Sequence, residues 1–432
     1  MAAAPLISVL VPTRNRAAVL GPCLATLARI DDPDLEIVVS NNASTDDTAE
    51  TVAAVRDPRL RLVAPDAPLA MTDNFELALS AARGDYVIAI GDDDGMLASG
   101  WRALRRLIAA EQPAIVNWRP LPYVWPSDPA RPVDGVLTIK PHHLGGGHRD
   151  VTTAPIFAAF LAGRIQRYRQ GANIYHGCVS RPVIEAVRQR FGRYFFANAP
   201  DVGAAIANLL AAPALVQLDT PVSIGGSSRY STGTAFKRFS GTAGADSVAQ
   251  WIAEAPTPVG APTLPRSIRS IQAMTFDALM QVVDHFGVPP ERVDGAAWLR
   301  KIAHELDGVP EPWRSEGRQL MAAWLTARGL VAGPFAGAEA ATPPDAQAVP
   351  VEETAPRTKA AAHRLTPWRI RLASRPGFLA DVRETAELCD AVIGNGEGGG
   401  LSAVGRMAAI YARARRAAAS ADAGSVPAPA AA

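Results

Sequence analysis

The strongest constraint on this chain is the regular alternation of its first 120 residues between short apolar runs and helical patterns. Ile7 to Val11 is an apolar run stopped by Pro12, and Leu35 to Val39 is a second that ends in Ser40-Asn41-Asn42. Arg59 to Val63 alternates charged and apolar residues, Tyr86 to Ile90 is continuously apolar, and Ala114 to Trp118 closes the series. Between them, Phe75, Ala78, Leu79 and Ala82 recur at helical spacing, with Thr72 placed to cap that helix. Ser44 is placed to cap the helix before it, and Asp46 and Asp47 fall in its first turn, where the helix dipole favours negative charge. Apolar strands separated by helices require right-handed crossovers and predict an α/β fold on a mainly parallel sheet.

Ligands of such sheets bind beyond the carboxyl ends of the strands. Three polar clusters follow strand ends: Thr13-Arg14-Asn15-Arg16, Ser40-Asn41-Asn42 and Asp92-Asp93-Asp94. The fold would gather all three on one edge. Three adjacent carboxylates repel one another, so the cluster is costly unless a cation offsets it. Hard oxygen ligands in small number suit Mg²⁺ or Mn²⁺ shared with a diphosphate; the alternative is a solvated acidic turn eased by Gly91 and Gly95. The loop after the first strand contains neither G-x-G-x-x-G nor G-K-[ST], which counts against dinucleotide and P-loop readings. It reads equally well as a nucleotide contact or as a polar loop capping the next helix.

Asp201 follows Pro200 at the start of an amphipathic pattern formed by Val202, Ala205, Ile206 and Leu209. Proline suits the first helical position and aspartate the first turn, so capping explains the pair by itself. A catalytic base would occupy the same kind of place. His142, His143 and His148 lie in a Gly-rich stretch without ligand spacing and read as solvated loop histidines, and His176 as a satisfied core histidine. The arginines from Arg364 to Arg375 read as a solvated face, with acidic lipid or a phosphorylated acceptor as alternatives.

The 432 residues suggest more than one folded unit. The expected divisions are residues 1–238 for the α/β domain, 239–331 for a helical region with Trp251, Phe276, Leu279, Met280 and Val283 in its core, 332–362 for an Ala/Pro/Gly-rich flexible linker, 363–418 for a basic, partly helical segment and 419–432 for a disordered Ala-rich tail. Residues 121–150, rich in Pro, Gly and His, read as a long loop. Net charge is +1, so no global field draws the molecule to nucleic acid. Cys23, Cys178 and Cys389 are isolated and odd in number, which argues against a disulfide framework or zinc site and fits a reducing cytoplasm. No basic flank followed by an apolar stretch marks Met1 to Pro5 as a signal peptide, and no run of about 18 apolar residues predicts a membrane span. Peripheral attachment at the inner face of the cell membrane is left open.

Ser8-Val9-Leu10-Val11-Pro12-Thr13-Arg14-Asn15-Arg16, then Val39-Ser40-Asn41-Asn42-Ala43-Ser44-Thr45-Asp46, Met71-Thr72-Asp73-Asn74-Phe75 and Gly84-Asp85-Tyr86 with Asp92-Asp93-Asp94 occur in the order found in the inverting family-2 glycosyltransferases of GT-A fold. Tyr175-His176-Gly177, Pro200-Asp201 and Pro221 to Ser227 extend the resemblance to about residue 233. It implies transfer of a sugar from a nucleotide-diphosphate donor, a UDP-sugar by expectation, to a glycan or lipid-linked acceptor in cell-envelope polysaccharide synthesis. Pro12, Thr13, Arg14, Arg16 and Asn74 would line the nucleotide pocket, Asn41 or Asn42 would face the base, and Asp92 the ribose. Asp93, or else Asp94, would hold Mn²⁺ or Mg²⁺, and Asp201 would be the base. Asn41 and Asn42 stand where most relatives carry acidic residues, and Gly91 stands where many begin an Asp-x-Asp. Two rivals are a sugar-nucleotide pyrophosphorylase, disfavoured by the missing Gly-rich phosphate loop, and a non-catalytic scaffold on a retired transferase domain.

Overall fold

The computed structural model describes residues 4–127, 134–231, 249, 251–254, 263–331, 333–336, 364–366, 369–375, 378–393 and 403–424. Strands β1 (Ile7–Thr13), β2 (Leu35–Asn41), β3 (Leu60–Val63) and β4 (Tyr86–Ala89) form the parallel half of an eight-stranded sheet. Helices α1 (Ala17–Ala28), α2 (Thr48–Ala53) and α3 (Met71–Ala81) make the crossovers. Register sets Thr13 beside Asn41 and Leu10 beside Ala89, so the polar strand ends converge as the alternation predicted.

Beyond β4 the sheet becomes mixed, with four of its seven pairings parallel in all. β10 (Gly177–Ser180) runs antiparallel between β4 and β6 (Ile115–Asn117); β11 (Ala214–Leu218) runs parallel to β6, and β9 (His148–Thr152) antiparallel to β11. The expected loop over 121–150 contains strands β7 (Leu121–Val124) and β8 (Val136–Ile139) and the start of β9. β7 and β8 join a second sheet of six strands, ordered β13-β14-β8-β7-β12-β5, with β12 (Ser223–Ser227) and β5 (Gly95–Met96). β7, β8 and β9 are each four or five residues long, and Pro122 on β7 disguises a buried–exposed alternation.

Two expected caps are corrected. Helix α3 starts after Ala70, and Thr72 instead donates its hydroxyl to Ala197 O at 2.9 Å. Helix α2 starts after Asp47, while Ser44 Oγ accepts from Asn15 N at 2.9 Å. Asp46 does the capping work across two elements: its carboxylate accepts from Thr48 N and Ala17 N, both at 3.1 Å. Loop closure, invisible to local spacing, redirects both hydroxyls. Helix α4 (Ala98–Glu111) follows β5. Helices α5 (Thr153–Leu161), α6 (Arg181–Phe191) and α7 (Pro200–Ala211) cover the other sheet face, and α7 opens with Pro200 at its first position as predicted.

The helical region comprises α8 (Ile271–Phe286), α9 (Gly295–Asp307) and α10 (Trp313–Ala327). Ser270 and Asp294 cap α8 and α9 by accepting from Ala273 N and Ala297 N. Trp251, Phe276, Leu279, Met280 and Val283 are buried as expected. One apolar cluster runs from Phe75 and Val87 through Ile206 to Phe276, Trp298 and Trp324, and Trp298 Nε1 donates to Phe160 O at 2.8 Å. The helices therefore share the main core.

The C-terminal part enters the fold through backbone pairing. β13 (Arg364–Thr366) and β14 (Arg369–Ala373) add to the free edge of β8, with Ile370 and Leu372 buried and Arg369 exposed. Helix α11 (Val382–Val392), capped by Asp381, packs on α1 and β5, and α12 (Ala403–Gly424) runs past residue 419, into the segment expected to be tail. The expected linker falls outside the described residues except for residues 333–336, which include a 3-10 turn, Gly333–Phe335; the tail beyond 424 also falls outside. All three cysteines are buried and unpaired. Among the described residues, no helix is long and apolar enough to cross a membrane.

Candidate active site

The strand end after β4 carries three carboxylates that point to different partners. Asp92 accepts from Thr13 Oγ1 at 2.7 Å and from Arg16 Nη1 at 3.1 Å, which ties it to the end of β1. Burial works to lower the Arg16 pKa, but the charges of Asp92 and Asp93 outweigh it and the net shift is upward. Asp94 turns the other way. It accepts from Gly91 N and Gly226 N, both at 2.7 Å, and from Tyr175 Oη at 2.6 Å, with His176 Nε2 3.3 Å away. Burial raises its pKa, yet His176 and these donors hold it below its ordinary value. Its lone pairs are spent inside the fold.

Asp93 differs from both neighbours. Its Oδ2 accepts from Ser228 Oγ at 2.7 Å, from Ser228 N at 3.2 Å and from Ser231 Oγ, while its backbone carbonyl accepts from Trp125 Nε1 at 2.8 Å. Among the described residues, no hydrogen bond engages Oδ1. Burial, then the charges of Asp94 and Asp92, push its pKa up to about 6 against the pull of Arg16 and Ser231. A divalent cation at Oδ1 would relieve that excess of negative charge. Among the described residues, no three His, Cys, Asp or Glu side chains converge as a metal cage. A single hard carboxylate oxygen, Asp93 Oδ1, is the kind of donor that would fit an open Mg²⁺ or Mn²⁺ site completed by phosphate oxygens.

Two glycines permit this crowding. A Cβ at Gly226 would lie 1.8 Å from Asp93 O and 2.9 Å from Trp125 Nε1, so any side chain there pushes β12 off the triplet. A Cβ at Gly91 would lie 2.7 Å from Tyr175 Oη and 3.1 Å from an oxygen of each of Asp93 and Asp94. The glycine at 91 thus leaves room for the Tyr175–Asp94 bond.

Asp201 lies in the first turn of α7. Burial raises its pKa, and the hydrogen bond from the Tyr168 hydroxyl and the charge of Arg169 pull against that rise. Arg169 in turn feels Tyr168, Tyr175 and Asp94, and their attraction raises its pKa although burial works to lower it. A continuous polar chain therefore runs Asp94, Tyr175, Arg169, Tyr168, Asp201. Tyr168 and Arg169 were missed in the sequence because they sit in a short 3-10 turn, Tyr168–Gln170, without periodicity. Ser228 and Ser231 were also missed, because they follow β12 in a stretch without periodicity.

The remaining expected residues divide. Pro12 is buried and pairs with Ser40 in the sheet. Arg14 is ion-paired with Glu254. Asn41 Oδ1 accepts from Ser44 N at 3.2 Å. Asn42 spends both ends of its amide on Leu69, donating to O at 2.8 Å and accepting from N at 2.7 Å. Asn74 accepts from Ser40 Oγ at 2.6 Å and donates to Ser40 O at 3.4 Å. Of the two asparagines offered for the base, only Asn41 keeps an amide end uncommitted to Leu69. His176 Nδ1 bonds Ser223 Oγ at 2.8 Å, in line with a core histidine. His143 departs from its reading as a solvated residue: it is buried, its Nδ1 accepts from Lys140 N, and burial lowers its pKa to about 3. His148 lies on β9, with Nε2 2.8 Å from Glu111.

Residues 8–167 match the family model described as glycosyl transferase family 2. A PGL/p-HBAD biosynthesis glycosyltransferase of Mycobacterium bovis is 33% identical over 97 residues, which are 22% of this chain and 38% of that protein. A GalNAc(5)-diNAcBac-PP-undecaprenol beta-1,3-glucosyltransferase of Campylobacter jejuni is 32% identical over 103 residues, 23% of this chain and 33% of that one. The chain thus spans little more than a third of the curated relatives it matches. Among solved structures, S. aureus TarS 1-349 in complex with UDP-GlcNAc superposes with a TM-score of 0.41 at 16% identity, covering 75% of this chain and 87% of that one.

Proposed function

Residues 8–167 belonging to glycosyl transferase family 2, we propose that this chain transfers a sugar from a nucleoside-diphosphate donor to an acceptor hydroxyl with inversion at the anomeric carbon. The reading is carried by one observation: Asp94, next to the open carboxylate oxygen of Asp93, and the base candidate Asp201 lie at opposite ends of one polar chain through Tyr175, Arg169 and Tyr168. Leaving-group and acceptor functions need such separation on one sheet edge, because an inverting displacement brings the nucleophile in opposite the departing diphosphate.

Asp201 takes the acceptor proton. Its raised pKa makes it a stronger base than an exposed aspartate, and the Tyr168 hydroxyl orients it. Asp93 would hold Mg²⁺ or Mn²⁺, which supplies neutralisation of charge on the departing nucleoside diphosphate. Arg16, kept charged beside Asp92, adds fixed positive potential at the same edge. Thr13 and Pro12 border the nucleotide, and Asn41 faces the base. Asn42 and Asn74 support that pocket by bracing Leu69 and Ser40. A UDP-sugar is the proposed donor. A cell-envelope glycan or lipid-linked acceptor agrees with relatives named for PGL/p-HBAD biosynthesis and for glucosylation of a PP-undecaprenol glycan. We assign the work to the inner face of the membrane.

The test is Asp201→Asn. Transfer should fall roughly 10³-fold, while calorimetry with UDP and Mn²⁺ should give unchanged nucleotide affinity. Retained transfer, or loss of nucleotide binding with it, would remove Asp201 from the role of base. If wild-type chain binds none of UDP, GDP or dTDP with or without Mn²⁺, the scaffold reading takes over.

A further inference from the structure

A group of arginines stands beside the loop that delivers Asp201, and the mechanism above does not use it. Arg193 opens that loop and pairs with Asp73 at 2.6 Å. Asn198, near its end, donates to Leu264 O at 3.0 Å, which brings Arg266 to the same place. Arg266 is 8% exposed and lies 4.1 Å over the ring of Trp251, with Nη1 donating to Glu254 O. Among the described residues, its Nε and Nη2 have no hydrogen-bond partner, and neither does Arg193 Nε. Asp73 and Glu254 both act on Arg266 electrostatically, and Glu254 also holds Arg14. Two carboxylates therefore face three guanidinium groups, and the surplus cation carries buried N–H donors left unsatisfied.

Unsatisfied charged donors in a buried place are costly. Guanidinium groups recognise planar and tetrahedral oxyanions through paired N–H donors, and phosphate is the commonest of these in group-transfer substrates. We propose that Arg193 and Arg266, gathered about Asp73, form a subsite for a phosphoryl group of the substrate. The inference rests on the transferase reading for its meaning, since the group would belong either to the acceptor or to the donor diphosphate. Position favours the acceptor, because the loop from Arg193 to Asn198 leads directly into Asp201. Burial lowers the Arg266 pKa to about 10, against Glu254 and Asp73, as expected for a cation short of anionic partners.

The experiment is calorimetric titration of the full chain with inorganic phosphate at constant ionic strength. Wild type should bind, and Arg266→Gln and Arg193→Gln should each weaken binding roughly tenfold or more. Asp73→Asn removes a competing carboxylate and should tighten binding several-fold, a gain that misfolding cannot imitate. Absence of binding in wild type, or unchanged affinity in both arginine variants at native melting temperature, overturns the subsite. Repeating the titration with saturating UDP separates the sources: additive binding assigns the phosphoryl group to the acceptor, and exclusion assigns it to the donor. UDP binding without phosphate binding defeats the subsite alone; phosphate binding without nucleotide binding defeats the transferase reading alone.

Discussion

The acidic edge of the main sheet and the helical region each bury an aspartate whose pKa stands near 6, for different reasons. Asp93 is raised by burial and by the two carboxylates beside it. Asp277, on α8, is raised by burial alone, while Leu264 N at 2.9 Å and Gln281 Nε2 at 2.9 Å donate to it. At the edge, the excess charge is collective and one multivalent cation would relieve it. In the helices, a single carboxylate braces a chain reversal and has nothing to gain from a ligand. A raised carboxyl points to a cation site when neighbouring carboxylates share the cause.

The contrast is broken most severely at Asp94. Asp94→Ala would strand Gly91 N, Gly226 N and the Tyr175 hydroxyl in a buried place, and urea denaturation should show a loss of about 3–5 kcal/mol. A loss below about 1 kcal/mol would mean the edge tolerates an empty anchor. Asp277→Asn should act in the opposite sense. Because the folded pKa lies above the ordinary aspartate value, the native state binds the extra proton, so this group's contribution to stability falls as pH rises from about 4 to about 6. The amide keeps an acceptor for Leu264 N and offers a donor to Gln281 Oε1, which has no hydrogen-bond partner among the described residues. The variant should gain about 1–2 kcal/mol at pH 7 relative to wild type and lose that advantage below pH 4. A destabilised variant at pH 7 would show that the charge itself holds the reversal. The smallest effect concerns Asp390 on α11, which accepts from Ala98 N at 3.2 Å and Ser99 N at 3.0 Å and so caps α4 from a distance. Asp390→Ala should cost about 1 kcal/mol in the same denaturation assay.

The parallel half of the fold was legible because each strand announces itself locally. Ile7 to Val11 and Leu35 to Val39 are apolar runs of strand length, and Tyr86 to Ala89 lies within the predicted run. Pro200 declared the start of α7 because its fixed backbone angle and missing N–H suit that position. What stayed hidden depends on distant pairing. Nothing near Asp390 announces that it caps a helix some 290 residues earlier, and Arg369 to Ala373 looked like a charged face because its partner strand, β8, was itself read as loop. At the site, the acidic triplet was plain as a cluster, but its division of labour was not. Tyr175 and Gly226 select Asp94 as the anchor, and the serines at 228 and 231 orient Asp93.

The docking of α11 against β5 has a consequence for the order in which the molecule is made. β5 follows the acidic triplet directly, and residues 382–392 pack against both it and α1. A nascent chain that has emerged through α10 already possesses its nucleotide-side strands but leaves the edge of β8 unpaired and α4 without its distant cap. Until residues 369–373 have emerged, that open strand invites pairing with another nascent chain.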